Sequence, residues 1–206
     1  MYVLVHNLGI KEYAPVLKGM QSFTVNRNND TLDEIWLVEH PPVYTLGLNG
    51  KREHLINENT IPVIVADRGG QITYHGPGQT VAYMLCDLER MRIGVSEFVN
   101  KIEQSIIDLL DDFTITSTRK KGAPGVYING RKIAALGLRI KRGRSYHGLS
   151  LNIDMDLAPF DDINPCGYPG LEVTQLKDLG VNKDILAVNT GLIEHLKKNL
   201  GYNDTL

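Results

Sequence analysis

The chain has 206 residues, a formal net charge of −2 at pH 7, 42% hydrophobic and 22% charged residues, and two cysteines. That balance is ordinary for a globular protein and excludes a disordered, collagen-like or disulfide-stapled chain. Two thiols also exclude a Cys-only zinc site, and no apolar run reaches the roughly 18 residues of a membrane helix.

The length sits near the upper range of one domain, so a single domain over 1–206 is expected. Met1 to Asn7 has no basic, apolar and small-residue pattern of a secretory leader, and is no Arg/Ser-rich transit peptide. A cytoplasmic protein with reduced thiols and no membrane partner is expected.

In chain order, apolar runs at 2–5, 35–38, 43–46, 62–66 and 81–85 read as strands, followed by a second series at 126–128, 132–140 and 146–153. Gly, Pro and Asn bound them, as is usual for strands. A helix is expected near 14–23, with Pro15 tolerated in its first turn. Ser96 is expected to cap a second helix, with Glu97 in its first turn. Val95, Phe98, Val99, Ile102, Ile106, Leu109, Leu110 and Phe113 give that helix one apolar face. A third covers 183–200 and stops at Gly201. Asn129-Gly130 predicts a type I′ hairpin, since both residues tolerate positive φ, and Arg142-Gly143 turns the next pair. Strands do not alternate regularly with helices. The expected fold class is therefore α+β: a mixed, mainly antiparallel sheet with packed helices.

From Phe113 to Ile153 there is no Asp or Glu, yet the stretch holds Arg119, Lys120, Lys121, Arg131, Lys132, Arg139, Lys141, Arg142 and Arg144. One basic block in a near-neutral chain points to an acidic partner; the alternative is a solvated sheet edge guarded by lysines. A nucleic-acid binder would interleave aromatic residues for stacking. Only Tyr127 and Tyr146 are available, so no nucleic-acid partner is expected.

The densest polar segment runs from Arg68 to Gln79, with Gly69-Gly70 and Gly76-Pro77-Gly78 inside it. Adjacent glycines let the backbone approach a ligand closely, and the polar side chains between them favour a binding loop. No Gly-Lys-Ser/Thr follows, so it is no P-loop. Cys86 sits in an apolar strand and reads as a buried structural thiol. Cys166, in Asn164-Pro165-Cys166-Gly167, reads as an exposed loop thiol and candidate nucleophile. An unperturbed thiol is only about 3% thiolate at pH 7, so a nearby cation is needed. Lys132, His75, His147 and His40 are the candidates. Lys132 follows the Asn129-Gly130 turn on the apolar strand 133–138, where such surroundings would depress its pKa; an exposed hairpin lysine is the equal alternative.

Five segments occur in order: Glu39-His40-Pro41-Pro42-Val43-Tyr44-Thr45-Leu46-Gly47, Arg68 to Gln79, Gly130-Arg131-Lys132-Ile133-Ala134-Ala135-Leu136-Gly137, His147-Gly148-Leu149-Ser150-Leu151-Asn152, and Ile163-Asn164-Pro165-Cys166-Gly167. Together they resemble the octanoyltransferases of lipoate biosynthesis, over nearly the whole chain. The resemblance implies the fold of the biotin and lipoate protein ligase catalytic domains. It implies transfer of octanoyl from octanoyl-acyl carrier protein to a lysine of lipoyl domains, those of 2-oxoacid dehydrogenases and the glycine cleavage H protein. Cys166 is then the nucleophile that carries the acyl thioester, and Lys132 lowers its pKa and moves protons.

The substrate-binding positions it implies are Arg68, Gly69, Gly70, Gln71, Ile72, Thr73, Tyr74 and His75, then Ala135, Leu136 and Gly137, then Gly148, Leu149 and Ser150. Strand 133–138 and Tyr74 would wall the acyl chain, whose burial at about 0.8 kcal/mol per methylene gives roughly 5 kcal/mol. No metal and no cofactor is implied, because the acyl group arrives on the carrier's phosphopantetheine; a monomer is expected. The alternative is an ATP-dependent lipoate or biotin protein ligase of the same fold, which must hold an acyl-adenylate and does not need Cys166.

Overall fold

A computed structural model describes residues 1–57 and 59–203. The strands are β1 (Val3–Ile10), β2 (Asp33–Glu39), β3 (Val43–Leu46), β4 (Val63–Val65), β5 (Ile72–His75), β6 (Gln79–Leu85), β7 (Thr118–Arg119), β8 (Gly125–Ile128), β9 (Arg131–Lys141) and β10 (Arg144–Asn152); the α-helices are α1 (Tyr13–Asn26), α2 (Leu88–Met91), α3 (Val95–Asp112) and α4 (Ile185–Leu200). Seven strands form one sheet in the order β1-β2-β6-β10-β9-β8-β7, and three form a second in the order β4-β3-β5. Among the described strand pairs, β1 with β2 and β3 with β4 are parallel and the others antiparallel. This is the expected mixed, mainly antiparallel α+β arrangement.

The large sheet is buried on both faces, and β6 shows why. Ala82 and Met84 point to a core shared with α3 and α4. Val81, Tyr83 and Leu85 point to the opposite core, with Tyr13, Val16 and Met20 of α1. The period-2 alternation of a strand thus feeds two layers of helix. The apolar face read for α3 is buried through Phe98, Ile102, Ile106, Leu109 and Leu110, whereas Val95 at its start is exposed. A third core, with Tyr44, Leu46, Ile72, Tyr74 and Phe160, lies behind the small sheet.

Local signals hold in most places. Asn129 and Gly130 sit at φ +50° and +83°, and Arg142 and Gly143 at +52° and +72°. Asp184 caps α4, accepting from Ala187 N at 2.7 Å, and Gly201 ends it at φ +77°. Two expectations change. The N-cap of α3 is Gly94, so Ser96 lies inside the helix and caps nothing. The glycine-rich segment is not loop throughout, because its centre is β5, paired with β3 from Val43↔His75 to Leu46↔Ile72. Four residues alternate there between two faces, and the flanking glycines hide so short a run. No helix of the described residues is long and apolar enough to cross a membrane.

Asp33, fully buried at the start of β2, ties distant segments together. It accepts from Arg27 at 2.6 Å, from Arg90, from the Asp87 N–H at 2.9 Å and from Tyr202 OH at 2.8 Å. Asp33→Ala would strand two guanidiniums, one of them fully buried, and is expected to cost about 3–5 kcal/mol. Urea denaturation at constant m-value measures this; a loss under 1 kcal/mol would show the cluster to be dispensable.

Candidate active site

Lys132 is the second residue of β9, immediately after the type I′ turn. A strap at 172–174 runs beside it: Lys132 N–H donates to Glu172 O at 2.9 Å and Thr174 N–H to Lys132 O at 3.0 Å. The residue is only 4% exposed. Its Nζ donates to Cys166 Sγ at 3.1 Å and to Pro124 O at 3.2 Å, and lies 5.2 Å from the Tyr127 ring centroid. Cys166 is half-buried, in a single tight turn over Pro165–Gly167. The turn is closed by Gly167 N–H to Asn164 O at 2.9 Å. Cys166 takes φ +57° and Gly167 φ +79°. A non-glycine residue held in the left-handed region stores strain, and such residues cluster at functional sites.

Burial pulls the Lys132 ammonium down, but the Cys166 thiolate, the hydrogen bond to it and Tyr127 outweigh burial, so its pKa lies above the ordinary lysine value. This reverses the expected depression: apolar surroundings are present, and an anionic partner wins over them. Cys86 is the opposite case. It is fully buried, and desolvation pushes its thiol up to about 12.

None of the three histidines hydrogen-bonds Cys166. His40 is held between Lys11 O and Tyr83 OH, His75 against Gln79 Oε1 at 2.7 Å, and His147 against Asp67 Oδ1 at 2.9 Å. Burial lowers all three pKa values, that of His75 to about 3.

Two clefts and a smaller cavity meet at Cys166. The narrower is lined by Gly70, Gln71, Ile72, Thr73 and His75, by Ala135, Leu136 and Gly137, and by Gly148, Leu149 and Ser150, with Arg68 also on its wall. Its floor follows from register. Gly148 lies opposite Gly137, and Ser150 opposite Ala135. Small residues facing each other across β9 and β10 leave a trough where larger side chains would fill the pleat. Gly148 has no alternative, because a Cβ there would sit 2.0 Å from Ala82 O. The wider cleft runs between β9 and the start of α3, past Gly69, Val95, Val99, Pro124, Leu138 and Tyr168.

A family model of the lipoyl protein ligase A/B catalytic domain matches residues 12–197. The octanoyltransferase of Chromobacterium violaceum is 55% identical over 197 residues, covering 96% of this chain and 95% of that one. The chain belongs to the octanoyltransferases of this family. Lipoate-protein ligase A bound with ATP has a TM-score of 0.82 at 13% identity, over 98% of this chain and 87% of that one. Biotin protein ligase from Aquifex aeolicus gives 0.58 at 10% identity, over 97% and 69%. At such identities the likeness is one of fold, and it is the fold the five segments implied.

Most of the expected binding residues converge on the narrow cleft, with three exceptions. Tyr74 points to the other face of β5, into the core with Tyr44 and Phe160, so it walls nothing. Gly69 lines the wider cleft alone. Ile133, expected in the acyl wall, is buried in the core under α3 and α4 and reaches only a small cavity beside Cys166. Arg68 is a clamp: its guanidinium donates to Thr45 Oγ1 at 2.8 Å and to Gly69 O at 2.9 Å, pinning the glycine segment to β3. Sequence reasoning passed over Tyr13, Val81 and Tyr83, which complete the narrow cleft; the alternation of β6 marks the last two, and nothing local marks Tyr13. Among the described residues, no three His, Cys, Asp or Glu side chains gather as a metal site.

The basic block divides. Exposed Arg119, Lys120 and Lys121 adjoin the wall of the wider cleft, with Lys120 Nζ 5.9 Å from the Tyr168 ring. Lys141 is nine residues along β9 from Lys132, roughly 30 Å at strand rise. Arg144 pairs with Asp87 at 3.7 Å.

At pH 7.5, iodoacetamide should modify Cys166 rapidly and leave Cys86 untouched in the native protein. Peptide mapping checks this; equal labelling of both would mean Cys86 is not sealed as described.

Proposed function

We propose that this chain transfers octanoyl from octanoyl-acyl carrier protein to a lysine of lipoyl domains through an acyl-Cys166 thioester. The observation that carries the reading is the 3.1 Å Lys132 Nζ–Cys166 Sγ pair at the junction of two clefts. Membership of the octanoyltransferases supports the identity of the acyl group. In this scheme the narrow cleft takes the acyl chain. The wider one takes the carrier's pantetheine arm and afterwards the acceptor lysine. The enzyme acts in the cytoplasm as a monomer, on lipoyl domains of 2-oxoacid dehydrogenases and the glycine cleavage H protein.

The Cys166 thiolate attacks the thioester carbonyl; the C–S bond to the carrier breaks, and the departing thiolate takes a proton from the Lys132 ammonium. Octanoyl-Cys166 is uncharged, so the anion that raised the Lys132 pKa is gone and burial, which lowers it, acts with less opposition. Neutral Lys132 is then poised to accept a proton from the acceptor's amine as that nitrogen attacks octanoyl-Cys166. The amide forms, Cys166 leaves as thiolate, and the starting pair is restored. Thioester exchange is near balance, and conversion of thioester to amide drives the second half. Neither ATP nor a metal enters the scheme.

After incubation with octanoyl-carrier protein alone, Cys166 should hold a hydroxylamine-labile acyl group. Intact mass and peptide mapping test this; an acyl group on Cys86 or on no cysteine would overturn the Cys166 assignment, and transfer only when ATP is supplied would favour the ligase alternative. Cys166→Ala should abolish transfer. Lys132→Met should slow acylation severely and move the pH midpoint of Cys166 alkylation upward, whereas Lys132→Arg keeps the charge and should preserve alkylation better than turnover.

Acyl carrier proteins are acidic as a class, so the basic residues near the wide cleft should steer their approach. Lys120→Glu with Lys121→Glu should lower the second-order rate with carrier-bound octanoyl and spare a small octanoyl thioester, the loss shrinking as salt rises. The same reversal at Lys141 and Arg142 should do little with either donor. A larger loss from the distal pair would place docking elsewhere.

A further inference from the structure

The peptide unit joining Pro124 to Gly125 is held from both sides. Its carbonyl accepts from Lys132 Nζ at 3.2 Å, and its N–H donates to Glu103 Oε1 at 2.8 Å. Glu103 is 5% exposed and lies on the face of α3 that buries Ile102 and Ile106. A carboxylate in that position is tolerated only with partners, and its second oxygen has one: Oε2 meets Arg119 Nε at 3.1 Å. Arg119 also donates to Gln104 Oε1 at 2.8 Å and to Asn100 O at 3.1 Å, both on α3. Glu103 thus grips both ends of the segment 119–125.

Gly125 is the pivot. It takes φ +140°, and a Cβ there would stand 2.6 Å from Ala134 O and 3.1 Å from Lys132 Cε. The lysine stem therefore packs directly on the glycine backbone. A peptide that ends in glycine reorients at low cost. Without a partner for its N–H, this one has little to fix the direction of its carbonyl.

We infer that Glu103 is a positioning residue for Lys132: by fixing the Pro124–Gly125 peptide, it aims the carbonyl that holds the ammonium against Cys166 Sγ. The inference rests on the acyl-transfer reading of the Lys132–Cys166 pair. It accounts for a charged residue on the buried face of α3, and for the attachment of the basic segment to the catalytic lysine through one peptide.

The test compares Glu103→Gln, Glu103→Asp and Glu103→Leu with wild type and Lys132→Met. Two readouts are used: kcat and KM with a small octanoyl thioester, and the pH dependence of Cys166 alkylation by iodoacetamide. Glutamine keeps an acceptor for the Gly125 N–H, aspartate draws it back by one methylene, and leucine removes it. The expected order of kcat is wild type close to Gln, then Asp, then Leu, with a loss of up to about 10²-fold for displacement of a reacting group and KM little changed. The alkylation midpoint should rise in the same order toward that of Lys132→Met. Cys166 and Tyr127 face Lys132 Nζ directly, with Arg119 behind Glu103; all three are unaltered in these variants. If Leu does not fold, the Asp variant carries the comparison. Wild-type kcat and alkylation in Asp and Leu, while Lys132→Met shifts, would overturn the role of Glu103. A Gln variant as poor as Leu would overturn it too, since charge rather than the peptide bond would then matter. An unshifted Lys132→Met would instead overturn the dyad reading itself.

Discussion

Lys132 has lost nearly all of its water, and much of the surrounding architecture replaces what the water supplied. A buried ammonium without partners deprotonates or destabilises the fold. Here the Cys166 sulfur, a backbone carbonyl and an aromatic face stand on three sides of Nζ. Each comes from a different segment: the Cys166 turn, the 119–125 segment and β8. The strap at 172–174 fixes the backbone from which the side chain starts. The ammonium is therefore a tie between the Cys166 turn and the 119–125 segment, beside the strand pair that already sets Tyr127 opposite Lys132.

The narrow cleft is made largely by omission. Across β9 and β10 the pairs Gly137–Gly148 and Ala135–Ser150 remove the side chains that would close the layer between sheet and α1. The deficit is walled by residues with other tasks. Arg68 anchors the glycine segment, and Tyr13, Tyr83 and the three histidines form a buried polar and aromatic network. With their pKa values pulled down by burial, the histidines stay neutral around neutral pH. Lys132 and the Arg68 guanidinium, which is 8% exposed, are cations that both interact with Cys166.

Charge on the surface follows the same division of labour. The carboxylate-free stretch spans both ends of the β9–β10 hairpin, and only its first part reaches the Lys132–Cys166 pair. The remainder, with Arg144 paired to Asp87, serves the opposite end of the sheet. Linear density of charge says that a basic face exists; the hairpin's length decides which half of it a partner near Cys166 could meet.

Much of this was legible in the chain. Periodicity fixed α3 and its buried face, Asn129-Gly130 set the turn that delivers Lys132, and Pro-Gly surroundings set Cys166 apart from Cys86, because each of these is a local property. Tertiary structure decided the rest. The pairing of Lys132 with Cys166 spans 34 residues and needs the whole sheet to close it. The sign of the Lys132 shift depended on an anion that no apolar strand pattern reveals. Tyr74 and Thr73 are neighbours in sequence, yet strand alternation sends one to a structural core and the other to the cleft. Glu103 sat inside an apolar periodicity as an exception without meaning until the Pro124–Gly125 peptide lay against it. Local sequence specifies what a backbone segment prefers; which side chains lose water together, and so which charges come to depend on one another, is settled only by packing.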